Sequence, residues 1–218
     1  LYTFDLGKYK TMNLPQTLDA FSYPVMEHFY TVQGEGVHSG KPAYFVRLGG
    51  CDVGCVWCDV KESWPMDSHS KLTIAQLVEE IKKTPAKQVV VTGGEPSLYP
   101  LTPFCNALIA HDLACWIETS GTGNFSGIWD WICVSPKKFK APKKEWLEKA
   151  DELTLVVFHP SDLTWVEQFL PFLKPQCRLI VQPEWDKREQ IMPLLVNFVK
   201  ENPNWSISLQ SHKYLGIP

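Results

Sequence analysis

Long apolar runs are missing from this chain of 218 residues: none approaches the ~18–20 residues that cross a bilayer, and the first thirty residues lack the charged-then-apolar pattern of a secretory leader. The expectation is a soluble, cytoplasmic protein with no membrane partner. Excess charge is missing too. A formal net charge of −3 leaves no broad basic surface and points to no nucleic-acid partner. The one local exception is Lys137, Lys138, Lys140, Lys143 and Lys144, a run broken by Pro142 that reads as a solvated loop. A disulfide framework is absent as well, because the cysteines number seven and three of them crowd into eight positions. Cys105, Cys115, Cys133 and Cys177 sit singly in apolar runs, where free cysteine behaves as a small hydrophobe.

What is present is apolar content of 44%, enough for one substantial core. Residues 1–24 read as an N-terminal extension without an assigned function, and residues 25–218 as a single domain. Short β-branched runs predict buried strands at 43–48, 88–92, 114–118, 131–134, 153–157, 178–181 and 205–209. Helical patterns separate them. At Thr73 and Gln76 a capping box precedes the apolar face of Ile74, Leu77, Val78 and Ile81, and a second helix covers about 186–200, bent or started by Pro193. Strand-helix alternation requires parallel strands, and the length is short of the ~250 residues of a full eight-fold barrel. An α/β fold, a partial open (β/α) barrel with mostly parallel strands, is therefore expected, with ligands beyond the carboxyl ends of its strands.

The unusual residues fall at those ends. After the first predicted strand come Gly49 and Gly50, then Cys51, Cys55 and Cys58 in a C-x3-C-x2-C loop. Structural zinc takes four protein ligands, usually from paired C-x2-C knuckles, and no second knuckle exists. Three thiolates suit a [4Fe-4S] cluster with one iron open to a ligand. Thr92-Gly93-Gly94-Glu95-Pro96 follows the next strand, its glycines allowing backbone to come close to a ligand. Later strand ends supply Glu118 and Ser120, then Ser135, Pro136 and Lys137, then Gln182, Pro183, Glu184 and Trp185.

The cysteine loop and the Gly-Gly-Glu-Pro strand end resemble the radical S-adenosylmethionine (SAM) superfamily. That resemblance implies SAM bound at the open iron, Trp57 against its adenine, Gly93, Gly94 and Glu95 about its amino group, and the later strand-end residues about its ribose and adenine. Phe29 to Gly36 with its Gln33-Gly34-Glu35-Gly36 motif, Arg47, Val134 to Lys137, and the ending Gln210 to Pro218 are similar, more narrowly, to the 7-carboxy-7-deazaguanine synthase (QueE) family. The likeness covers about residues 25–218. It implies ring contraction of 6-carboxy-5,6,7,8-tetrahydropterin with loss of ammonia, Mg²⁺, a homodimer and an electron donor such as flavodoxin. The pterin would meet Val32, Gln33, Gly34, Glu35, Arg47, Thr92, His212 and the terminal carboxylate of Pro218. An arginine fork fits the substrate carboxylate on physical grounds as well. One position departs: Val60 stands where the family has threonine or serine for magnesium, so either Ser63 or Glu62 helps substrate and water hold the ion, or the dependence is weaker. The competing readings are a glycyl-radical activase and a non-catalytic zinc module.

Overall fold

The computed structural model describes residues 20–218, so most of the N-terminal extension lies outside the described residues. Its strands are β1 (Ser22–Val32), β2 (Pro42–Leu48), β3 (Lys71–Thr73), β4 (Gln88–Gly93), β5 (Ala114–Thr119), β6 (Trp131–Val134), β7 (Glu152–Val157), β8 (Arg178–Pro183) and β9 (Trp205–Ile207). They form one open sheet in the order β3-β1-β2-β4-β5-β6-β7-β8-β9. β2 and β4 to β9 run parallel, each to its neighbour, while β1 is antiparallel to β2 and β3 to β1. The expected open, mostly parallel α/β sheet is what forms.

β1 is an addition to the expected strands, and it starts the sheet at Ser22, inside the segment read as an extension. Pro24 reads as a strand breaker. It is tolerated because Ser22 to Pro24 pair only with the short edge strand β3, and the Pro24 carbonyl accepts instead from Gly49 N–H at 2.9 Å. A bulge between Val25 and Glu27 then shifts the register and sets Glu27 opposite Arg47 of β2.

Among the described residues, six α-helices accompany the strands: α1 (Ile74–Lys82), α2 (Thr102–Ala110), α3 (Lys144–Lys149), α4 (Ser161–Val166), α5 (Arg188–Glu201) and α6 (Ser211–Leu215). α1 starts as its sequence signals. Thr73 accepts from Gln76 N–H, Gln76 reaches back to the Thr73 N–H, and Ile74, Leu77, Val78 and Ile81 are buried. In α5, Pro193 lies within the helix and does not start it; the helix is held to the core by Ile191 and Leu195, buried on either side of the proline.

Side-chain alternation gives the sheet two unlike faces. Tyr44, Val46 and Leu48 of β2, Val89 and Val91 of β4, Cys115 of β5, Val134 of β6, Leu153, Leu155 and Val157 of β7 and Val181 of β8 pack into the core. The residues between them, Arg47, Thr92, Glu118, Cys133, Glu152, Thr154 and Gln182, line a cavity. A parallel strand buried on both faces is normally apolar throughout, so this polar inner face marks the site. Thr73→Ala removes one half of the capping box while leaving the buried face intact; we expect a loss of about 1 kcal/mol in denaturant unfolding, with Thr73→Ser close to the parent.

Candidate active site

The cavity holds about 430 Å³, within the range of small-molecule sites, and opens at the carboxyl ends of the parallel strands. Cys51, Cys55 and Cys58 line one wall on the loop after β2, none of them in a disulfide. Backbone bonds fix that loop: Gly50 N–H to Ser63 O at 2.7 Å, Cys51 N–H to Trp64 O at 3.1 Å, and Cys58 N–H to Cys55 O at 3.1 Å. Burial pushes the Cys55 thiol up to about 11, against the nearby charge of Lys137, and burial likewise raises Cys51. A bound metal centre reverses that cost, because it takes thiolates. Among the described residues, no three His, Cys, Asp or Glu side chains converge as single-ion ligands.

The Gly-Gly-Glu-Pro segment clamps this loop to the rest of the sheet. Gly94 N–H donates to Leu48 O at 2.9 Å and Glu95 N–H to Gly50 O at 2.8 Å. A methyl on Gly94 would collide with the Gly50 carbonyl and Cys51 Cβ, so only glycine allows this approach. The buried Glu95 carboxylate accepts from Ser97 N–H at 2.9 Å, from Ser120 N–H at 2.8 Å, and from the Thr119 and Ser120 hydroxyls. Glu95 therefore staples the end of β4 to that of β5. Ser135 N–H continues the series to Thr119 O at 2.8 Å.

The opposite wall is polar. Arg47 Nε donates to Glu27 at 2.7 Å. Glu35 accepts from Gln182 at 2.9 Å and from Gln210 at 2.8 Å, and Gln33 donates to Glu118 at 2.6 Å while accepting from Glu35 N–H at 3.0 Å. Glu118 lies deep in the cavity, and burial, aided by Glu35, pushes it up to about 7 in spite of Gln33 and Arg47. Burial holds His212 below the usual histidine range although Glu35 pulls the other way, so it is neutral at neutral pH. Gln182 Oε1 is buried with no protein partner among the described residues.

The C-terminal segment closes this wall. Ser211 donates to Gly34 O through both N–H and hydroxyl, at 2.9 Å each. The His212 ring occupies the space that a side chain at position 34 would need, which explains the glycine there. Lys213 Nζ reaches Asp59 at 2.6 Å, next to the last cysteine, and keeps that carboxyl low despite its burial. Pro218 lines the cavity.

The structure thus gathers Val32, Gln33, Gly34, Glu35, Arg47, Thr92, His212 and Pro218 with Trp57, Gly93, Gly94, Glu95, Glu118, Ser120, Ser135, Lys137, Gln182, Glu184 and Trp185 around one cavity. Pro136 and Pro183 are not among the lining residues. The Glu184 carboxylate is engaged by Asp186 and Lys187 N–H at 3.2 and 3.1 Å. Trp57 stands between Phe139 and Phe158, with Lys137 Nζ 5.4 Å from its ring centre. Several lining residues have no counterpart in the sequence reading: Asp59, Lys213, Glu152, and His38 stacked at 4.0 Å on Trp116. Cys133 is not a core cysteine either, since its thiol faces Glu152 at 3.5 Å. A charged residue at a strand position, as in Glu152-Leu153-Thr154-Leu155, is the signal that locates such groups.

A family model described as the radical SAM superfamily matches residues 45–162. A 7-carboxy-7-deazaguanine synthase of Flavobacterium psychrophilum is 47% identical over 195 residues, covering 89% of this chain and 92% of that one. One from Synechocystis sp. is 39% identical over 196 residues, covering 90% and 94%. Among solved structures, QueE from Escherichia coli superposes with a TM-score of 0.83 at 29% identity, covering 93% of this chain and all of that one.

The raised Glu118 carboxyl has a consequence for stability. Unfolded, it releases its proton near 4.5; folded, it keeps the proton to about 7. Between these values the folded state binds more protons, so stability falls as pH rises through that window and no further above it. We expect Glu118→Gln to gain stability relative to the parent from pH 4.5 to pH 7, with a constant difference above, in urea unfolding of the metal-free protein. A gap that does not change with pH would contradict this.

Proposed function

The chain belongs to the 7-carboxy-7-deazaguanine synthase family of the radical SAM superfamily, and on that premise we propose that its cavity contracts the ring of 6-carboxy-5,6,7,8-tetrahydropterin to 7-carboxy-7-deazaguanine with release of ammonia, toward queuosine and related 7-deazapurines. The observation that carries this reading is the meeting, in one cavity, of the three cysteines and the Gly-Gly-Glu-Pro strand end with Arg47, Gln33, Glu35, His212 and the chain terminus.

The family implies a four-iron cluster and SAM, and the residues fit both. Three unpaired thiols share one wall, the Gly94 backbone leaves room where a Cβ would fill it, and Gln182 Oε1 is a buried acceptor in want of a donor. Held there, the cluster and SAM would supply radical chemistry for hydrogen abstraction from the pterin. The protein's own part is binding and orientation. With Nε held by Glu27, the Arg47 Nη groups have no protein partner among the described residues and offer a fork to the substrate carboxylate. Glu118, raised to about 7 by burial and by Glu35, is protonated in about half of the molecules at neutral pH, and in that form presents a hydroxyl donor to the ring edge. Glu35, fixed by two amides, stays an acceptor for the same edge.

Magnesium does not find its family ligand here. Val60 lines the cavity, but Ser63 and Glu62 do not, and the buried Ser63 hydroxyl donates to Val60 O at 2.6 Å. Asp59 is bound to Lys213. No protein hydroxyl stands in for the missing one, and no role is assigned to the ion. The reading also includes a homodimer and a one-electron donor protein such as flavodoxin, both supported by family resemblance.

Incubation of anaerobically reconstituted protein with SAM, reductant and carboxytetrahydropterin tests the proposal by mass: we expect the contracted ring, and 5′-deoxyadenosine alone without it would refute the substrate. Cys51→Ala should lose both the brown colour and all turnover. Arg47→Lys keeps the charge but not the fork, and we expect KM for the pterin to rise about 10-fold or more with cluster content unchanged, a loss of roughly 1.4 kcal/mol or more in binding.

A further inference from the structure

Glu152 stands where a ligand group is not expected. Ligands of parallel α/β sheets meet the carboxyl ends of the strands, yet Glu152 is the first residue of β7, at the strand's amino end. It lines the cavity and is only 3% exposed. A carboxylate buried this far is costly unless donors meet its oxygens. Here both oxygens are met. Oε2 accepts the Val37 N–H at 3.0 Å, while Oε1 accepts the Thr154 hydroxyl at 2.6 Å and faces the Cys133 thiol at 3.5 Å. Thr154 belongs to β7, and Cys133 is the residue of β6 in register with Glu152. Two neighbouring strands thus aim the carboxylate, and its remaining partner is the loop that joins β1 to β2.

That loop carries Gln33 and Glu35. It presses directly on the carboxylate, because Gly36 has a φ of +66° and a Cβ there would collide with Glu152. One residue past Val37, the His38 ring stacks on Trp116 at 4.0 Å and leans on Trp131 at 4.4 Å. The loop has other ties. Gly36 N–H donates to Ser208 at 2.9 Å and Gly34 O accepts from Ser211, but those partners lie beyond β9 and in α6. Glu118 and Gln182, on β5 and β8, hold the side chains of Gln33 and Glu35, the groups that a ligand must engage. Glu152 instead grips the loop's backbone from within the parallel sheet and leaves both side chains free. We propose that Glu152 is a positioning residue: by holding the Val37 N–H it fixes the backbone from which Gln33 and Glu35 reach the pterin, and so sets substrate affinity without touching substrate or cofactor. This deepens the proposed function and rests on it.

The role requires an acceptor of the right reach and not a charge, so two substitutions separate the possibilities. Glu152→Gln keeps the length and an acceptor oxygen; Glu152→Asp keeps the charge but is one methylene short of Val37. In the reconstituted full chain we expect Glu152→Asp to raise KM for carboxytetrahydropterin about 10-fold or more, the scale on which displaced positioning groups act. The loss should fall on KM and not on kcat, with SAM affinity and cluster content as in the parent, and Glu152→Gln should restore KM. Hydrogen exchange reads the anchor without turnover: amides 33–38 should exchange faster in Glu152→Asp and at the parental rate in Glu152→Gln, with β4 and β5 unchanged in both. The reverse order, Gln impaired and Asp parental, would show that charge is what counts and overturn the proposal. Parental exchange at 33–38 in Glu152→Asp, or SAM affinity lost along with pterin affinity, would overturn it too. If the parent makes no contracted ring, the substrate reading fails while hydrogen exchange still decides the anchor. Should Glu152→Asp not fold, Thr154→Val, which removes a donor that aims the carboxylate, should speed exchange at 33–38 alone, and parental exchange there would sink the idea.

Discussion

The close approach of two backbones, Gly94 against Gly50 and Cys51, is the contact on which the rest of the site depends. A loop carrying three thiols has no reason to hold one shape by itself. Here its carbonyls at Leu48 and Gly50 are taken by the amides of Gly94 and Glu95. Glu95 then passes the constraint to Thr119 and Ser120, and Thr119 passes it to Ser135. The ends of β2, β4, β5 and β6 are thereby tied in sequence around the mouth of the cavity. Hydrogen bonds to a buried carboxylate are stronger than neutral ones, so a single glutamate can hold several loops at once.

The same strands face a conflict inside the cavity. Glu35, Glu118 and Glu152 share it with Arg47, and that much negative charge would exclude an anionic ligand. The structure relieves this in separate ways. Burial and Glu35 raise the Glu118 carboxyl to about 7, Glu152 is spent on the Val37 N–H at 3.0 Å and the Thr154 hydroxyl at 2.6 Å, and Glu35 is held by two amides. Arg47 lines the cavity with Lys137 and Lys213, its Nε anchored by Glu27, which the bulge in β1 sets opposite it.

Much of this was legible in the sequence because it is local. The capping box at Thr73, the cysteine spacing and the glycine pair each lie within a few residues; the box forms as its pattern implies, and the cysteines and glycines come to line one cavity. What escaped is non-local or depends on strand register. β1 was hidden by Pro24, whose tolerance depends on an edge pairing with Lys71 to Thr73 far along the chain. Cys133 reads as one more apolar cysteine until the alternation of β6 turns it inward. Asp59 and Lys213 are 154 positions apart, and nothing in either neighbourhood names the other.

That last pair also helps explain how residues 210–218 come to line the cavity. Free ends fray because few contacts offset the entropy of ordering them. The final segment here is held at several independent points: Ser211 on Gly34, Gln210 on Glu35, and Lys213 on Asp59, with Tyr214 edge-on to Trp185 at 5.1 Å. Two of those anchors lie in the Gln33–Gly36 motif and one adjoins the last cysteine, so the segment spans two walls of the cavity. Ordering it is then coupled to ordering both walls. Weakening any one tie should loosen the terminus before it disturbs the sheet, because the sheet's own strand ends are joined by the separate series that starts at Gly94.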